Sequence, residues 1–93
     1  MNKMLVDTNI FIYDLDRNSV FHKRASELLN DESIELYTTS KNISEFVSVC
    51  SKLEINKELT INYLEEIIEN TKILFPDTES FLIFKDLIRT LSP

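Results

Sequence analysis

Apolar positions along this chain fall into two kinds of run. Met4-Leu5-Val6 is a short apolar stretch ended by Asp7-Thr8-Asn9, and Ile10-Phe11-Ile12-Tyr13 then turns apolar again. Such a stretch predicts a buried β-strand that carries Asp7 at its C-terminal end, followed by a helix from Thr8 to about Leu15. Asp14 to Ser19 is a polar break, and Ser19 is placed to cap a second helix. In that helix Phe21, Ala25, Leu28 and Leu29 share one face. Asn30-Asp31-Glu32-Ser33 closes it.

Ile34-Glu35-Leu36-Tyr37-Thr38 predicts a second strand, and Thr39 and Ser40 lead into a third helix. Its expected buried stripe is Ile43, Phe46, Val47, Cys50 and Leu53. Asn56 caps a fourth helix with Leu64, Ile67 and Ile68 inward and Glu58, Glu65, Glu66 and Glu69 outward. Ile73-Leu74-Phe75, stopped by Pro76, predicts a third strand. Asp77 or Thr78 then caps a last helix carrying Phe81, Phe84, Leu87, Ile88 and Leu91. The order β-α-α-β-α-α-β-α with short apolar strands predicts an α/β fold, a parallel three-stranded sheet flanked by helices. Residues 1–93 read as a single domain without linker or repeat.

Composition narrows the chemistry. The chain has no glycine, which excludes the glycine-rich phosphate loops. Its one cysteine, Cys50, excludes an internal disulfide and a cysteine-based zinc site. Cys50 falls on a helical apolar stripe and reads as a small core residue. Neither a signal peptide nor the ~20-residue apolar span of a membrane helix is present, so a soluble, cytoplasmic protein is expected. The net charge of −6 argues against a nucleic-acid coating protein, because such binding rests on a surplus of Lys and Arg. An enzyme that holds nucleic acid through metal and a local basic rim is still compatible. Lys41, Lys52, Lys57, Arg17, Lys23 and Arg24 are the candidates for that rim.

Two carboxylates stand where chemistry collects in parallel α/β sheets, beyond the C-terminal ends of strands. Asp7 follows the first strand. It reads either as a functional acid or as the N-cap of the helix after it. Glu45 lies early in the third helix, just after the second strand. Asn42-Ile43-Ser44-Glu45 has the spacing of a capping-box variant, so Glu45 has a local alternative too. If the strands are parallel neighbours, Asp7 and Glu45 converge. Such a pair repels unless a proton or cation lies between, and hard oxygen ligands suit Mg²⁺ or Mn²⁺. The lone His22 reads as a helix-surface or packing residue.

These phrases together resemble the PIN domain, the fold of VapC-type toxin ribonucleases. The resemblance rests on Met4-Leu5-Val6-Asp7-Thr8-Asn9-Ile10, on His22 with Ala25, on Ser40-Lys41-Asn42-Ile43-Ser44-Glu45-Phe46, and on Ile73-Leu74-Phe75-Pro76-Asp77. It implies a metal-dependent ribonuclease using Mg²⁺ or Mn²⁺, with Asp7 and Glu45 as catalytic metal ligands and Thr8 and Asn9 supporting them. It further implies RNA, single-stranded or structured, as substrate, and a toxin paired with an antitoxin protein.

The chain departs from the family in one respect. A complete PIN domain brings a third acid, often a fourth, from a later segment, and none appears before Thr90-Leu91-Ser92-Pro93. Asp86 reads as a solvated surface charge rather than a substitute ligand. The resemblance therefore implies a domain incomplete at its C-terminus, with its first strand left as an open sheet edge. A homodimer or a complementing chain is the expected cover. The alternative from another class is a catalytically inactive PIN-like interaction module that binds a protein partner. A phosphoacceptor receiver is a weaker third reading, since receivers carry an acidic pair after their first strand.

Overall fold

A computed structural model describes residues 2–91, and all of their side chains except those of 79, 80, 84, 90 and 91. The chain runs β1 (Asn2–Leu5), α1 (Thr8–Leu15), α2 (His22–Leu29), β2 (Ile34–Thr39), α3 (Ser40–Lys52), α4 (Lys57–Asn70), β3 (Lys72–Leu74) and α5 (Thr78–Leu91). The three strands form one sheet in the order β1-β2-β3, and both pairings are parallel. Leu5 lies opposite Tyr37, and Thr38 opposite Ile73. The predicted element order and parallel sheet are what is found.

Helices cover both faces of the sheet, so the strands supply apolar side chains to a core on each side. Val6 and Leu36 face one way, into a core with Phe11, Phe46, Cys50 and Ile67 from α1, α3 and α4. Tyr37 and Leu74 face the other way, onto Leu87 of α5, with Leu5 and Ile83 packed against them. On that second face Lys3 Nζ donates to Asp86 Oδ2 at 2.6 Å, pinning α5 to β1. The pair raises the Lys3 ammonium and lowers the Asp86 carboxyl from their ordinary values. On its outer side β1 pairs with no strand among the described residues.

Several predicted stripes are too wide. Phe46 and Cys50 are buried, whereas Val47 and Leu53 are exposed. Ile67 is buried and Ile68 exposed; Leu87 is 1% exposed and Ile88 67%. Phe81 is exposed as well, and the side chains of Phe84 and Leu91 lie outside those described. The cause is angular. Consecutive helical residues stand about 100° apart, so of two adjacent apolar residues only one can point at a single packing face. The second helix also starts later than Ser19. The Ser19 hydroxyl accepts from Phe21 N–H at 3.1 Å and its carbonyl from His22 N–H at 3.1 Å, a turn that leaves Phe21 exposed before α2 begins. In α2, His22 Nδ1 meets the Tyr13 carbonyl at 3.2 Å, which ties α2 to α1.

The lack of glycine shows at the end of α3. Ile55 N–H bonds the Cys50 carbonyl and Glu54 N–H the Ser51 carbonyl, the pair of bonds of a Schellman cap, and Glu54 has φ of 56°. Glutamate thus occupies a position that glycine fills without steric cost. The left-handed region costs a non-glycine residue roughly 1–2 kcal/mol, and glycine's extra unfolded-state freedom gives back about half of that. Glu54→Gly is accordingly expected to raise stability by about 0.5–1 kcal/mol in urea denaturation. A loss of stability would show that Glu54 makes compensating contacts.

Candidate active site

The C-terminal ends of β1 and β2 open onto one cleft of about 390 Å³, lined among others by Asp7, Thr8, Asn9, Asn42 and Glu45. Asp7 arrives there because β1 ends at Leu5 and the chain turns into α1. Its φ and ψ of −89° and 173° are those of a helix N-cap, and Oδ1 accepts from Ile10 N–H at 3.2 Å. The capping role is therefore real, and it leaves Asp7 exposed at the mouth of the cleft.

Glu45 is held differently from the capping-box expectation. The N-cap of α3 is Thr39, whose hydroxyl accepts from Asn42 N–H at 2.9 Å, so Asn42 is already the third residue of the helix. That places Glu45 in the second turn, too far along to reach back to the cap. Thr39 is preferred because it leaves β2 in extended geometry, with φ of −109° and ψ of 155°, as an N-cap requires. Glu45 instead turns to α1. The Thr8 hydroxyl lies 3.1 Å from Glu45 Oε2, 3.2 Å from the Asn42 carbonyl and 3.3 Å from Asn42 Oδ1. One hydroxyl proton serves these three acceptors, with Glu45 the nearest. Lys41 Nζ stands 3.9 Å from Glu45 Oε1, across a well-exposed i,i+4 pair.

Beneath the acids lies a polar hub that the chain's local patterns do not announce. The Val6 carbonyl accepts from the Thr38 hydroxyl at 2.8 Å and from Asn42 Nδ2 at 3.2 Å. Val6 N–H in turn donates to the Tyr37 carbonyl at 2.7 Å. Donation by Nδ2 fixes the Asn42 amide so that Oδ1 faces Thr8 as an acceptor. Thr38 is fully buried and has this one role. Asn9, by contrast, lines the cleft with an exposed side chain.

The donors are hard oxygens, the kind that suits a divalent cation which keeps most of its water. Among the described residues no group of three or more His, Cys, Asp or Glu is placed to hold a metal ion, so Asp7 and Glu45 stand as a pair. Asp86 is engaged by Lys3 on the other face of the sheet. A larger cavity of about 970 Å³ lies between the α1–α2 and α3–α4 turns. Its Asp14 carboxylate is committed to the Tyr63 hydroxyl at 2.6 Å and to the Ser26 hydroxyl. Burial and that carboxylate push the Tyr63 hydroxyl far up, so it stays a donor. Burial likewise pushes up the thiol of Cys50, which sits in the core as expected.

A family model described as PIN domain matches residues 4–92. No curated protein and no solved structure matches the chain significantly.

Proposed function

Because the chain belongs to the PIN-domain family, whose membership points to nuclease-type chemistry, we propose that it is a divalent-metal-dependent ribonuclease with Asp7 and Glu45 as its acids. The observation that supports this most is the opening of both carboxylates, from two different elements, onto one cleft at the strand ends. Asp7 and Glu45 would hold the ion, Mg²⁺ or Mn²⁺, by carboxylate oxygens. When bound, such an ion neutralises phosphate charge and makes water a competent nucleophile at neutral pH.

The chain's own groups do the positioning. Thr8 donates toward Glu45 and fixes its rotamer, and Asn42 holds Thr8 against the end of β1. Such supporting bonds orient a ligand before the ion arrives. Asn9 offers an amide at the cleft wall for the substrate or for ordered water. The substrate in this reading is single-stranded or structured RNA in the cytoplasm. Among the described residues no helix is long and apolar enough to cross a membrane. The wider proposal is a toxin held in check by an antitoxin protein, with a second copy or a complementing chain along the outer edge of β1.

The test is cleavage of a mixed single-stranded RNA pool in Mg²⁺, in Mn²⁺ and in chelator, beside Glu45→Gln. Cleavage is expected with either metal and none with chelator, and Glu45→Gln should retain no more than about a tenth to a hundredth of the rate. Activity that survives chelation, or an unchanged Glu45→Gln, would refute the metal-site reading. Silence in every arm would leave the interaction-module reading in possession.

A further inference from the structure

We propose that Lys52 is a substrate-binding residue that grips a phosphate of single-stranded RNA adjacent to the one placed at Asp7 and Glu45. This rests on the nuclease reading above and narrows it to one side chain. Six cations are candidates for a basic rim, and the structure separates them. Lys41 faces Glu45 across 3.9 Å, and Arg17 opens into the larger cavity. Lys23 and Arg24 belong to α2, and Lys57 begins α4. Lys52 lines the acidic cleft itself.

Its position follows from helical arithmetic. Glu45, Ser48 and Lys52 stand at i, i+3 and i+7 of α3, one face of the helix, and all three line the cleft. At 1.5 Å rise per residue Lys52 lies about 10 Å further along the helix than Glu45. That backbone separation, spanned by the lysine stem, suits a phosphate next along the strand from the one at the acids, with the Ser48 hydroxyl between. Lys52 has no ion-pair partner among the described residues, although the chain carries 16 acids against 10 Lys and Arg. An RNA strand laid along α3 would carry its phosphates past this exposed ammonium.

A local alternative exists: a lysine in the last turn of a helix complements the helix dipole. The two roles differ in what salt does. A phosphate contact displaces a counterion and steepens the salt dependence of RNA binding, whereas a helix-end contact changes only stability.

The experiment uses the Asp7→Asn chain in Mg²⁺, so that RNA stays intact. Binding of a short fluorescein-labelled single-stranded RNA of mixed sequence is followed by anisotropy over a range of NaCl concentrations. Added to that background are Lys52→Ala, Lys52→Arg and, as a charge-matched control away from the cleft, Lys57→Ala. Lys52→Ala is expected to weaken binding roughly 5-fold at low salt, to a similar extent for RNAs of different sequence. It should also make the log–log salt slope shallower by about 0.7, the share of one phosphate on a single strand. Lys52→Arg should restore both, and Lys57→Ala should change neither. Urea midpoints are measured alongside. If Lys52→Ala merely matches Lys57→Ala, or loses stability with no change of slope, the proposal is overturned. If neither this background nor the unsubstituted chain binds RNA, the nuclease reading falls and takes this inference with it.

Discussion

Asp7→Asn is expected to lower RNA cleavage in Mg²⁺ or Mn²⁺ by roughly 10²–10³-fold, several kcal/mol of lost charge stabilisation at about 1.4 kcal/mol per decade. Asparagine is the informative substitution because Asp7 does two things. It offers a carboxylate to the cleft, and it caps α1 through Ile10 N–H. Asparagine caps a helix as well as aspartate does, so the change removes the charge and spares the cap. The remaining structural cost is the weaker match to the helix dipole, about 0.3–1 kcal/mol. Alanine would confound the two roles. Single-turnover cleavage measured beside thermal melts resolves them: activity should collapse while the melting temperature barely moves. Full activity in Asp7→Asn would remove Asp7 from the chemistry. A rate that declines only in step with stability would reduce it to a cap.

The largest structural effect is expected at the neighbour of the other acid. Phe46 has no exposed surface and sits at the centre of the larger core. Its ring meets Phe11 edge-on, with centroids 6.2 Å apart and planes at 77°, and stacks on Tyr63 at 5.3 Å. Phe46 therefore joins α3 to α1 and to α4 at one point. Phe46→Ala should cost about 3–5 kcal/mol, the usual range for truncating a buried aromatic. A chain of 93 residues has only about 5–14 kcal/mol in all, so a fifth or more of the stability goes. Urea denaturation checks this, with Phe46→Leu expected to lose clearly less. A cost under about 1.5 kcal/mol for the alanine variant would mean that α3 is held chiefly by its polar contacts with α1 and β1.

Topology was legible in the sequence because it rests on the order of short apolar runs and helical stripes along the chain. Strands covered on both faces are short and rich in apolar residues, and Met4-Leu5-Val6 declares itself that way, while the 34–38 stretch does so by its β-formers and partial alternation. Helix faces were legible only to within one residue, as Phe46 beside Val47 and Leu87 beside Ile88 illustrate. Both members of each pair satisfy an apolar period, and only the neighbouring element decides between them. Glu45 shows another limit. Thr39 and Asn42 are both good caps, and choosing Asn42 starts α3 three residues late, which turns Glu45 into a capping partner. The end of β2 settles that choice, since Thr39 leaves it already extended. Lys52 could have been singled out sooner, because it stands seven residues after Glu45 on the same helical face. The Val6 hub had no such signal. It joins a backbone carbonyl to side chains 32 and 36 residues away, and sequence spacing carries nothing about that.

That hub has a consequence for motion. Local opening usually begins where few buried bonds must break, and binding clefts are commonly drawn from such regions. Here the residues that orient Glu45 are fastened to Val6, and Val6 is fastened to β2. Asn42 cannot swing away without releasing the carbonyl that Thr38 also holds, and Thr38 is buried in the middle of the sheet. Freeing the Val6 carbonyl from Thr38 therefore disturbs the pairing of β1 with β2, the best-buried part of the cleft floor. Breathing is left to the rim, where Asp7, Asn9 and Lys52 stand exposed. The floor keeps its shape, and adaptation to a ligand falls to the side chains around its edge.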